Sequence, residues 1–148
     1  MTIKAHKIRL NPTPEQADYL KRAAGIRRFV YNWALAEWQR QVAAGEKPAP
    51  MKLKEQFNAI RQDLFPWTYE VSKSASEGAF FDLGDACKRF FAGQTHYPTF
   101  KKKGKSHESF YLANDRFTLG AHWVEPQVLG DFVATQRQIK APINRNIG

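Results

Sequence analysis

Lys101, Lys102, Lys103 and Lys105 follow one another almost without interruption, with Gly104 inside the run and Phe100 directly before it. Four ammonium groups on a glycine-containing loop offer several cations to a phosphate backbone, and the preceding ring adds a surface on which a base can stack. Lys7, Arg9, Arg27 and Arg28 add to this by charge, since the guanidinium fork suits phosphate oxygens. Other residue types with chemical potential fall into no productive pattern. His6, His96, His107 and His122 are scattered without metal-ligand spacing, and there is no glycine-rich phosphate loop. Asp82 and Asp85 lie three apart, but on a helix whose apolar positions are Phe80, Leu83 and Cys87 they read as its solvated side. No catalytic residue, metal ligand or cofactor is assigned.

The whole composition points the same way. The 148 residues carry 23 Lys and Arg against 14 Asp and Glu, a formal net charge of +9, and a pI near 9.8. That balance is the electrostatic footprint of a nucleic-acid binder. Eleven Phe and four Trp place the chain among folding sequences rather than disordered basic tails. The single cysteine, Cys87, excludes an internal disulfide and every paired-cysteine zinc module. It reads as a core residue of a cytoplasmic protein. The N-terminus has no signal-peptide stretch, and no window approaches the run of about 20 apolar residues that crosses a bilayer.

The elements that must position these cations begin with a strand over residues 3–10, with Ile8 and Leu10 on one face and Lys7 and Arg9 on the other. Thr13, Pro14 and Gln16 then form a helix start, with Thr13 as N-cap. A first helix carrying Ala17, Leu20 and Ala24 is expected to end near Gly25. The second arm of a helical hairpin follows over 25–40, where Ile26, Phe29, Val30, Trp33 and Ala34 make one apolar stripe. Residues 43–50 are a loop by their glycine and prolines. Leu53, Phe57, Ile60 and Leu64 mark a third helix stopped by Pro66, and Phe80, Leu83, Cys87, Phe90 and Phe91 a fourth that ends at Gly93. Beyond residue 95 the apolar pieces are short and strand-like.

The order of these pieces resembles a known family. Residues 7–10 (Lys-Ile-Arg-Leu), 12–16 (Pro-Thr-Pro-Glu-Gln), 25–35, 88–93 (Lys-Arg-Phe-Phe-Ala-Gly), 97–103 and 108–110 (Glu-Ser-Phe) together resemble the start of TnpB proteins, the OrfB transposases of bacterial insertion sequences with their N-terminal helix-turn-helix region. The likeness covers residues 3 to about 133 and weakens after 105. It implies an α+β fold in which the N-terminal strand joins a C-terminal, incomplete, antiparallel open β-barrel, with a four-helix block inserted between. The divisions are 1–12 for the first strand of this wedge-type domain, 13–95 for the helical recognition domain and 96–148 for the rest of the wedge.

The resemblance further implies an RNA-guided DNA endonuclease ancestry, with DNA or a structured guide RNA as partner. Cutting in that family belongs to a downstream RuvC-like domain and zinc ribbon, and this chain is expected to stop before both and to be non-catalytic. By position in the family's pattern, Lys73 at the start of the fourth helix and Asn114 in the loop after Glu-Ser-Phe would approach DNA bases. Glu77 and Ala113 depart from the polar residues expected there, and a carboxylate repels phosphate. The alternatives are a stand-alone helix-turn-helix regulator using 25–40 as recognition helix, in which Phe29, Val30 and Trp33 occupy the face needed for support, and a decayed transposon fragment. An open sheet edge would favour self-association, with no membrane partner.

Overall fold

The computed structural model describes residues 9–110, 117–119, 123–126 and 141–144, with side chains over 11–110. Its first landmark is the helix start at Thr13. The Thr13 backbone N–H donates to Gln16 Oε1 at 2.8 Å and the Gln16 N–H donates to Thr13 Oγ1 at 3.3 Å. With Pro14 at the first helical position, this reciprocal cap satisfies two backbone donors that a helix N-terminus otherwise leaves open.

The helix that starts there, α1, runs unbroken from Pro14–Ala43, 30 residues, or roughly 45 Å at the usual rise. The expected hairpin turn at Gly25 is therefore corrected: one helix stands where two were expected. A glycine ends a helix by adopting positive φ, and Gly25 does not; among the described residues the positive-φ glycines are Gly45, Gly93 and Gly104. Buried side chains on both sides of it, Ala23, Ala24, Ile26 and Val30, hold the helix through. Gly45 (φ 79°) follows the true end of α1. Helix α2 covers Pro50–Leu64, a short 3-10 helix covers Pro66–Glu70, and α3 covers Lys73–Phe91, capped by Ser72, whose hydroxyl accepts from the Ser74 N–H at 3.3 Å.

The core lies between these helices. Ala23, Val30, Ala34 and Leu35 of α1, Leu53 and Phe57 of α2, and Ala75, Ala79, Phe80 and Leu83 of α3 are essentially sealed from solvent. Alanines on facing helices permit close approach, and α1 packs against α3 more extensively than any other pair of described elements. Phe57 is its aromatic centre. Its ring stacks on Phe65 at 5.8 Å and 10°, tilts against Phe80 at 5.8 Å and takes the edge of Trp33 at 5.1 Å. Gly84 lets α2 begin close to α3, because a Cβ there would lie 3.1 Å from Pro50 Cγ. Cys87 is buried, as its register requires.

The described strands are short: β1 Arg9–Leu10, β2 Phe117–Leu119, β3 Trp123–Pro126 and β4 Ala141–Asn144, paired antiparallel in the order β1-β4-β3-β2. The expected α+β class with an open β-barrel and a four-helix block is overturned. The described body is helical, its described core draws on three α-helices and the 3-10 segment, and no barrel forms among the described residues. Segments of two to four residues bury too little apolar surface to organise a core, whereas the helices present continuous apolar faces. The remainder of the strand expected over 3–10 lies outside the described residues.

Two substitutions test this architecture. Gly25→Ala should raise stability by about 0.5–1 kcal/mol, because a helix-interior glycine is unfavourable and its new Cβ meets only Arg28 Nη2 at 3.5 Å; thermal melting that shifts downward would restore the hairpin. Phe57→Ala should destabilise by about 3–5 kcal/mol in chemical denaturation.

Candidate nucleic-acid interface

The lysine run is mounted on α1 by a residue that charge and periodicity did not single out. Asn32 Nδ2 donates to the Lys101 carbonyl at 2.9 Å, while the Lys101 N–H donates to Asn32 Oδ1 at 2.8 Å. One carboxamide thus satisfies both backbone groups of Lys101, as a neighbouring strand would. Asparagine is a poor helix-interior residue because its side chain competes for backbone groups, and that misfit was the signal available in the sequence.

Beyond the clamp the chain turns tightly. The Ser106 N–H donates to the Lys102 carbonyl at 2.9 Å and the Lys105 N–H to the same oxygen at 3.2 Å. The Lys102 N–H in turn donates to Ser106 Oγ at 2.9 Å. Gly104 takes φ 77°, the left-handed conformation that closes the turn and that L side chains rarely adopt. Lys102, Lys103 and Lys105 are exposed on this turn, and none makes an ion pair with a described residue. Phe100 is exposed beside them.

Lys101 differs from its neighbours. Its Nζ lies 4.6 Å from the centre of the Tyr31 ring, and it is only partly exposed. Burial holds its ammonium below the usual lysine range, with the nearby Arg27 cation adding to the effect. The ring face supplies part of what lost hydration removes. It belongs to the mount as much as to the exposed charge.

Arg27 and Arg28 also face inward. Arg27 Nη2 pairs with Asp82 Oδ2 of α3, and its Nη1 donates to both the Ser109 carbonyl and Oγ at 3.3 Å. Arg28 Nη1 pairs with Glu108 at 3.1 Å. Both guanidinium groups are mostly covered, at 15% and 22% side-chain exposure, so they anchor segment 106–110 to α1 and have little surface left for a phosphate. Asp82 is likewise an ion-pair partner rather than a solvated carboxylate. Lys73 lies in a separate cluster, 3.5 Å from Glu77 Oε1, which also receives Lys54 Nζ at 3.5 Å. Lys7 and Asn114 lie outside the described residues, and of Arg9 only the backbone in β1 is described.

A groove of about 430 Å³ opens beside the lysine turn, lined by the C-terminal part of α3 and by residues 95–101. Arg89 and His96, neither singled out for ligand contact from the sequence, line it together with Lys101 and Phe100. Among the described residues no group of three or more His, Cys, Asp or Glu could hold a metal ion, and no helix is long and apolar enough to cross a membrane.

The mount is testable by Asn32→Ala. Amide hydrogen exchange at Lys101 and Lys102 should accelerate sharply while exchange at Val30 and Phe80 changes little. The loss of two hydrogen bonds should lower global stability by about 1–3 kcal/mol.

Residues 1–47 match the family model of the helix-turn-helix domain of OrfB proteins of insertion sequences. A protein of Escherichia coli named as an RNA-guided DNA endonuclease, InsQ, is 32% identical over 109 residues, covering 70% of this chain and 26% of its own length. A Mycobacterium tuberculosis protein named in the same way is 30% identical over 148 residues, covering 84% of the chain and 31% of its own length. One from Streptomyces pristinaespiralis is 32% identical over 122 residues, covering 78% and 29%. The chain spans between a quarter and a third of the length of these relatives. The matched domain at its N-terminus and the alignment to these relatives identify it as an N-terminal portion of the TnpB (OrfB-type) family.

Proposed function

We propose that this chain binds nucleic acid, guide RNA or target DNA, through the lysine turn, without itself cutting it. The observation that carries the reading is the set of three exposed lysines, Lys102, Lys103 and Lys105, held on a closed turn that Asn32 fixes to α1 and lacking described carboxylate partners. Holding cations in place ahead of binding reduces the ordering cost of gathering them around a phosphate backbone. The net charge of +9 draws a polyanion from a distance. The relatives' naming as RNA-guided DNA endonucleases supplies the polymer class.

The remaining expected ligand residues take graded places in this reading. Phe100 and Lys101 stand at the edge of the turn and join the contact. Arg27 and Arg28 support it from beneath. Lys73 is a weaker candidate while Glu77 neutralises it, and Lys7, Arg9 and Asn114 remain candidates by charge and by family position. A nucleic-acid-binding role belongs in the cytoplasm, where both polymers are met.

Replacing Lys102, Lys103 and Lys105 together with glutamine tests it. Each phosphate contact contributes about 0.7–0.9 to the slope of log affinity against log salt, so the slope should fall by roughly two to three units. Lys101 is left in place because its ammonium also packs on Tyr31. An unchanged slope in fluorescence anisotropy would remove the turn from the interface.

A further inference from the structure

The groove beside the lysine turn differs in kind from a second groove of similar volume on the helical body. That second groove, about 450 Å³, contains Arg22, Arg28 and Trp67, but it also contains Glu70. Its arginines are neutralised, Arg22 by Asp18 and Glu70 and Arg28 by Glu108. The groove at the lysine turn has no carboxylate in its lining. Its cations are Arg89, which makes no ion pair with a described residue, and Lys101.

Its aromatic lining is equally specific. Tyr97 and Phe100 are exposed at 37% and 47%, and Tyr31 forms part of the floor. Tyr97 is braced: its ring meets Phe90 edge-on at 5.1 Å and 86°. Phe100 is the less encumbered ring. The volume lies near the lower end of the 300–1,000 Å³ typical of small-molecule pockets, a size suited to one nucleotide and not to the width of a duplex. Every base has a π face, so stacking on such rings tolerates any sequence but requires that the base be free of its helix.

We infer that this groove accepts one unpaired nucleotide of a single strand, its base against Phe100 and Tyr97 and its phosphate between Arg89 and Lys101, with the strand continuing onto Lys102, Lys103 and Lys105. The inference rests on the nucleic-acid reading above and adds to it the strandedness of the ligand. It assigns the turn to unpaired nucleic acid and gives Arg89, at the end of α3, a binding role.

Affinities of the full chain for a short oligouridylate, an oligothymidylate of equal length and a blunt DNA duplex test the inference. Phe100→Leu keeps apolar volume but removes the π face, and Arg89→Gln removes the cation; both sites are exposed, and unchanged melting verifies the fold. Phe100→Leu should weaken single-strand binding roughly tenfold, the low end of the cost of losing one base stack, with duplex binding and the salt slope unchanged. Arg89→Gln should lower the single-strand slope by about 0.7. Tighter binding of the uridylate assigns the slot to RNA, and equal binding to either sugar assigns it to base and phosphate alone; both support the inference. Equal losses on single strand and duplex, or no loss on the single strand, overturn it while leaving the lysine turn as a duplex-binding surface. Absence of binding by the unmodified protein to all three probes overturns both readings.

Discussion

Helix α1 must satisfy three faces at once, and each is covered by a different part of the chain. Ala23, Val30 and Ala34 are sealed within the helical core, to which α3 contributes Ala75, Ala79 and Leu83. Phe29 meets the edges of Phe65 at 5.0 Å and Trp67 at 4.7 Å, while Trp33 meets Phe57. Arg27, Arg28 and Asn32 take up residues 101–109. A break at Gly25 would set the first turns of α1, with Tyr19 and its hydrogen bond to the Ser72 N–H at 3.2 Å, free of the rest. The unbroken helix is thus the common support for the core and for the cationic turn.

The division of labour between arginine and lysine follows from their chemistry. Arginine's planar fork reaches several acceptors from one position, and Arg27, Arg28 and Arg61 are all used as internal ties. Arg61 is the extreme case. It is 4% exposed, has no carboxylate partner among the described residues, donates through Nε and Nη2 to Thr68 Oγ1 and O at 2.7 Å each, and lies 4.1 Å from the Tyr69 ring centre. Burial pulls its pKa below the ordinary arginine value, yet guanidinium is basic enough to tolerate such a site where lysine would give up its proton. The lysines at 102, 103 and 105 remain hydrated and available. Counting cations in the sequence therefore overstates the surface charge that a ligand can use.

Local rules written in adjacent residues determined much of the helical framework. The capping box at Thr13, the loop around Gly45, the stop before Pro66 and the left-handed Gly93 after α3 each depend on neighbours within a few residues, and each stands where it was read. The lysine turn was legible as an exposed loop because glycine among lysines has few other solutions. Tertiary packing decided the rest. Gly25 satisfies either a helix end or a helix interior, and the core on both sides of it selects the interior. Leu64, on the expected apolar stripe, is 60% exposed, whereas Arg61 occupies the buried position because Thr68 of the following 3-10 segment provides its acceptors. Arg27 and Arg28 look like ligand residues until Asp82, Glu108 and Ser109, some 55 to 82 positions away, engage them. Residue type and spacing encode what a side chain is able to do; only the partners brought by the fold decide whether that capacity is spent inside the protein or left for a ligand.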